Sequence, residues 1–225
     1  MIPYKDDNPT SSTPYLTIAI IAINVLVYLA VNLDPSLAQR VVYSFGALPA
    51  AIMGAGSPQP VPPAMTIFTS MFLHGGLFHL GGNMLYLWIF GNNIEDKLGH
   101  LKFLAFYLLG GTAAVYAHAV TEPHSMVPMI GASGAIAAVL GAYLLLYPRA
   151  SVYTVIFLGF FIQVVRLPAL IVIGFWAIIQ IVNGLVSRGF GGGGVAWFAH
   201  VGGFVFGVAV IKLFIMLERR RRRRW

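Results

Sequence analysis

The chain has 225 residues, of which 58% are hydrophobic and only 9% charged, and its mean hydropathy is +0.81. A soluble domain carries about a quarter charged residues, so this composition excludes a water-exposed globule and makes lipid the solvent for most of the surface. The absence of cysteine excludes disulfides, thiolate metal ligands and thiol nucleophiles, and the net charge of +7 is concentrated in the run Arg219–Arg224.

The length suits one domain over residues 15–217, with a short N-terminal segment over 1–14 and a polybasic tail over 218–225. The first apolar run, Tyr15–Val31, follows Lys5-Asp6-Asp7 instead of a positive leader and reads as a retained membrane helix. Asn32–Ala64 is apolar yet broken by Pro49, Pro58, Pro60, Pro62 and Pro63, which predicts a segment lying in the outer leaflet. Spanning helices are expected over Leu77–Phe90, Leu101–Val120, Ser133–Tyr147, Pro168–Val186 and Phe198–Leu217, giving six with the first. Ser151–Val165 is apolar but as a helix would reach only roughly 22 Å, so it is expected to lie at the interface beneath the bundle. The glycine run Gly191–Gly194 predicts a mobile connection on the outer face. Together these elements predict an all-α polytopic membrane protein.

Charge orients it. With six spans, Lys5, Lys97, Lys102, Arg149, Arg166, Lys212 and Arg219–Arg224 fall on the side of both termini, and only Arg40 and Arg188 on the other. That asymmetry predicts cytoplasmic termini in a plasma (inner) membrane. The arginine run follows an apolar span directly, so it is expected to anchor on anionic headgroups, with no nucleic-acid partner.

Polar residues inside spans are costly and tend to mark function. His79 and Asn83, spaced i, i+4, share one helix face and suit either oxyanion stabilisation or the gluing of helices. Ser133 lies between Gly131 and Gly134 at a helix start, where it is either an accessible nucleophile facing free N–H groups or a simple cap. His200 follows Ala199, which with Gly203 and Gly207 forms a small-residue face for close helix contact. The alternating topology puts all three constellations at the outer ends of their helices, hence at one depth. None of the seven acids lies inside a span near that face, which leaves a Ser133–His200 dyad in place of a triad. No carboxylate or histidine cluster suggests a metal, and no cofactor is expected.

These residues resemble the signature of rhomboid intramembrane serine proteases: His79-x-x-x-Asn83, Gly131-x-Ser133-Gly134 and Ala199-His200-x-Gly202-Gly203-x-x-x-Gly207. Phe72-Leu73-His74-Gly75, Gly91-x-x-x-Glu95 and Leu144–Arg149 extend the likeness to about Phe45–Gly207. The resemblance implies a six-helix rhomboid-like bundle with a cavity opening outward. It makes Ser133 the nucleophile and His200 the general base, and has His79, Asn83 and the Ser133 N–H hold the oxyanion. Its substrates would be transmembrane proteins, cleaved near the outer boundary and admitted past span five and the glycine run. Many members stack an aromatic on the histidine from one turn after the serine; here that position is Ala137, so another residue must orient His200. The competing reading is a non-catalytic rhomboid-like protein that binds membrane clients. A channel or transporter is disfavoured, because the sequence offers neither an inverted repeat nor an expected buried carboxylate.

Overall fold

The computed structural model describes residues 1–56, 58–159, 161–190 and 195–222. The bundle consists of α1 (Tyr15–Val31), α5 (Leu77–Leu98), α6 (His100–Thr121), α7 (Ser133–Leu146), α8 (Ala169–Phe190) and α9 (Trp197–Arg222). Three stretches are long and apolar enough to cross a bilayer: His100–Thr121, Ala169–Ser187 and Trp197–Arg220. Helices α1 and α7 are apolar but shorter, at 17 and 14 residues. Helix α5 has 22 residues and carries Glu95, Asp96 and Lys97 in its last turns. The chain is thus a mostly helical integral membrane protein, and among the described residues three helices meet the length and composition of a span where six are expected.

Helix α7 is short because protein, not lipid, surrounds it. Every residue from Gly134 to Tyr143 is buried, and α5, α6, α8 and α9 all touch it. A helix apolar on all sides belongs in a core. Its contact with α9 is backbone to backbone: a Cβ on Gly203 would collide with the Gly134 carbonyl, one on Gly207 with the Ala138 carbonyl, and one on Gly141 with the Phe204 carbonyl. The small-residue face read from the sequence is therefore the seam of the bundle.

At the opposite end from the α7 N-terminus, Gly99 (φ +79°) reverses the chain between α5 and α6 in a conformation that an L side chain resists. Glu95 is fully buried there. Its carboxylate accepts from the backbone N–H groups of Leu16 (2.9 Å) and Thr17 (2.7 Å), from the Thr17 hydroxyl (2.7 Å) and from His100 Nδ1 (2.6 Å). This corrects the expectation that no carboxylate is buried. Glu95 satisfies the free N–H groups at the start of α1, which no side chain of α1 caps.

The all-α expectation also needs correction. Ser151–Val165 is not an interfacial helix but most of a β-hairpin, β2 (Ser151–Leu158) and β3 (Phe161–Pro168), and β1 (Ile2–Asp6) from the N-terminal segment pairs antiparallel with β2. Val152, Tyr153, Thr154, Val155, Ile156 and Phe157 are β-branched or aromatic and favour a pleated strand, and Gly159 (φ +60°) supplies the turn. Because Ser151 pairs with Pro168, the segment returns to the end of the bundle it left.

The proline-rich loop forms three short helices, α2 (Pro35–Phe45), α3 (Pro49–Ile52) and α4 (Pro63–Thr69), each with proline in its first turn. Asp34 caps α2 through the Ser36 N–H at 2.9 Å. No α2 residue is buried, whereas Pro49, Ala50 and Ala51 of α3 are buried, with α3 packed against α6. Ala47, Ile67 and Met71 join Val115 and Met129 in a second small core. Gly191–Gly194 and Arg223–Trp225 lie outside the described residues, as do the side chains of Arg188, Arg221 and Arg222.

Candidate active site

The three constellations meet. His79 is the third residue of α5, Ser133 the first of α7 and His200 the fourth of α9, so three helix N-termini converge on one place. Each brings free N–H groups and the positive end of its dipole. The site opens into a cavity of about 790 Å³ whose walls include His79, Asn83, Ser133, Trp176 and His200.

Ser133 is not a helix cap. The cap position is Ala132, no side chain caps the helix, and the Ser133 hydroxyl instead lies 2.8 Å from His200 Nε2. The seam glycines make this reach possible, since any side chain at Gly203 would push α9 off the start of α7.

On its other edge, His200 Nδ1 lies 2.7 Å from Gln180 Oε1 of α8. The ring sits between two tryptophans, with Trp176 at 6.0 Å and 37° and Trp197 at 6.1 Å and edge-on. The aromatic missing at Ala137 is thus replaced from α8 and from the start of α9. Sequence reading missed these neighbours. The signal for Gln180 was present, as a polar residue within the expected span Pro168–Val186.

His79 and Asn83 both line the cavity beside the serine. His79 Nδ1 accepts a long hydrogen bond from the Gly75 N–H at 3.4 Å, which leaves Nε2 to carry the proton of the neutral ring. The Asn83 amide nitrogen is buried and has no partner among the described residues. An orphaned buried donor is rare and asks for an acceptor. Gly131 explains the space between these groups. Its φ of +120° is one that favours glycine, and a Cβ there would stand 2.7 Å from His79 Nε2 and 3.6 Å from Ser133 Oγ. The empty volume beside Gly131 therefore touches both the hydroxyl and the imidazole donor.

Among the described residues, no group of histidines and carboxylates could hold a metal ion. Glu95, about 12 residues beyond Asn83 on α5, lies roughly 18 Å from the site along the helix. Glu122 borders the cavity, but the partner of His200 Nδ1 is an amide.

The sequence model of the Rhomboid domain matches residues 63–217. The chain is similar to Rhomboid protein 1, mitochondrial, of Saccharomyces cerevisiae, at 33% identity over 101 residues, covering 43% of this chain and 29% of that protein. It is similar to Presenilin-associated rhomboid-like protein A, mitochondrial, of Danio rerio, at 32% identity over 159 residues, covering 68% and 38% respectively. It is also similar to Rhomboid protease GluP of Bacillus subtilis, at 32% identity over 132 residues, covering 58% and 24%. The matched stretch is thus well under half the length of each of these relatives, while the domain match takes in most of this chain and every residue of the candidate site. The chain belongs to the rhomboid family.

Proposed function

We propose that the protein is an intramembrane serine endopeptidase that cleaves transmembrane proteins near the outer membrane boundary. The observation that carries this reading is the 2.8 Å approach of Ser133 Oγ to His200 Nε2 beside an open cavity. In the proposed reaction Oγ attacks the scissile carbonyl carbon while its proton passes to His200 Nε2. The carbonyl oxygen, now negative, sits beside Gly131 and takes hydrogen bonds from His79 Nε2, Asn83 Nδ2 and the Ser133 N–H. Donors fixed before the reaction stabilise charge without reorganising. His200 then gives its proton to the leaving nitrogen, and the C–N bond breaks to leave an acyl ester on Ser133. Water attacks the ester, losing its proton to His200, and that proton returns to Oγ as the ester bond breaks. No metal or cofactor enters the scheme.

The substrate segment must reach Ser133 as extended backbone, so helix-weak sequences are favoured, and the family resemblance favours a small residue at the cleavage site. The distribution of Lys and Arg supports a six-span arrangement with both termini on the cytoplasmic side of a plasma (inner) membrane. Several relatives are named mitochondrial, which makes a mitochondrial membrane the second location to examine. Arg219–Arg224 would then lie against anionic headgroups of the inner leaflet.

A non-catalytic, client-binding rhomboid-like protein is the alternative. The experiment compares cleavage of a transmembrane reporter by the purified wild type, Ser133→Ala and His200→Ala in nanodiscs. Wild-type cleavage lost in both variants is expected. Cleavage surviving Ser133→Ala would overturn Ser133 as the nucleophile, and no cleavage by the wild type would favour the alternative. Labelling of Ser133 by a fluorophosphonate gives an independent reading.

A further inference from the structure

A general base must present a bare nitrogen to its nucleophile. Neutral imidazole has two tautomers, and only the one protonated at Nδ1 leaves Nε2 free to accept from Ser133. In a triad a buried carboxylate enforces that choice, and no carboxylate performs it here.

We infer that Gln180 is the positioning residue that holds His200 in its reactive tautomer and orientation. This rests on the protease reading above for its consequence in catalysis, though not for its geometry. The Gln180 side chain is buried. Its Nε2 donates to the Trp176 carbonyl oxygen at 3.1 Å, one turn back on α8. A carbonyl oxygen can only accept, so this bond fixes which end of the amide is nitrogen. Oε1 is then the atom 2.7 Å from His200 Nδ1, and since an amide oxygen can only accept, Nδ1 must carry the hydrogen. The proton position on His200 follows from two hydrogen bonds whose directions are chemically forced. Nε2 is left with its lone pair 2.8 Å from the serine oxygen. Trp176, four residues before Gln180 on the same face of α8, packs against the ring at 6.0 Å and restricts its tilt. One helix thus sets both the proton and the plane of the base.

A neutral acceptor suits this position. A carboxylate would have to be desolvated in a bundle whose other buried acid, Glu95, needs four hydrogen bonds to stay there. The amide holds the tautomer without a second buried charge.

The test uses the full chain in nanodiscs and two readouts. The first is the tautomer of His200 in substrate-free protein, from the nitrogen shifts of ¹⁵N-histidine-labelled samples, with the signal assigned by its loss in His200→Gln. The wild type is expected to show hydrogen on Nδ1. Gln180→Met keeps length and volume but offers only a weak thioether acceptor, and is expected to move hydrogen onto Nε2. Gln180→Glu restores an oxygen acceptor and is expected to restore hydrogen on Nδ1. The second readout is cleavage of a transmembrane reporter. Gln180→Met is expected to lower kcat about tenfold with KM unchanged, the size of one net hydrogen bond. A tautomer unchanged in Gln180→Met, or KM rising while kcat holds, would overturn the inference. If the wild type cleaves nothing but the tautomer responds as described, the protease reading fails and the role of Gln180 stands.

Discussion

The Thr17 hydroxyl donates to the Glu95 carboxylate at 2.7 Å, and through that bond the start of α1 hangs on the end of α5. The same carboxylate takes the Leu16 and Thr17 backbone N–H groups, so one buried acid replaces the cap that α1 lacks. It lies at the far end of the bundle from Ser133, which separates stability from chemistry.

Glu95→Ala therefore tests the fold alone. It strands two backbone donors and a hydroxyl in a buried site, and leaving buried donors unsatisfied costs about 1–3 kcal/mol each. A total loss of about 3 kcal/mol is expected in reversible unfolding in mixed micelles, with kcat near that of the wild type for protein that remains folded. A loss of kcat without a loss of stability would mean that Glu95 communicates with the site.

Asn83→Ala tests the oxyanion donors. The amide nitrogen is buried without a partner among the described residues, so removing it strands nothing and should leave unfolding unchanged or slightly improved. On the proposed mechanism kcat falls, with about 10²–10³ the ceiling for loss of one such donor. Because His79 and the Ser133 N–H remain, the lower end is expected. Unchanged kcat would remove Asn83 from the mechanism.

The strand β1 carries a pH dependence with a defined sign. Asp6 of β1 accepts from the Tyr143 hydroxyl at 2.6 Å, and burial raises its carboxyl above the usual range, even though that bond opposes the shift. A raised acid binds its proton more tightly when folded. Its contribution is therefore favourable at low pH and is lost as pH rises from about 3.8 through the folded value. Asp6→Asn keeps an acceptor for Tyr143 and removes the titration. Thermal melts should show the variant gaining on the wild type as pH rises through that window, with the difference levelling off above it. A gap that does not change with pH would show that Asp6 does not titrate on folding.

Much of this molecule was legible in its sequence, for reasons that particular residues make clear. Tyr15–Val31 was bounded to the residue because an apolar run between polar flanks is a local signal. Gly203 and Gly207 announced a helix seam because only glycine tolerates a facing carbonyl at contact distance. Helix alternation puts Ser133 and His200 at one depth without any structure, but their contact was implied only by the family resemblance, and the structure brings them to 2.8 Å. The hairpin was not legible, because a 15-residue apolar stretch reads alike as an interfacial helix or as paired strands. Its β1 partner lies about 150 residues away, and long-range pairing leaves no local trace. The burial of Glu95 was not legible, because the groups that satisfy it, on Leu16 and Thr17, lie far away in the sequence and leave no local trace. The role of Gln180 was not legible, because its contact with His200 depends on how α8 packs against α9, which sequence spacing does not fix. A polar residue within an apolar span was the available clue.

Glycine contacts divide cleanly into those that hold the site and those that do not, and substitution should follow the division. A Cβ at Gly207 meets the Ala138 carbonyl, and the backbone cannot retreat without parting α9 from α7. A Cβ at Gly174 of α8 meets nothing within 4 Å. Gly207→Ala is expected to cost about 1–3 kcal/mol by overpacking and to lengthen the path from His200 to Ser133, so that fluorophosphonate labelling slows as stability falls. Gly174→Ala is expected to gain about 0.5–1 kcal/mol from helix propensity alone, with labelling unchanged. The pair is measured together, by unfolding in mixed micelles and by the labelling rate of Ser133. Similar effects at the two positions would contradict close packing of α7 and α9 as the device that joins nucleophile and base.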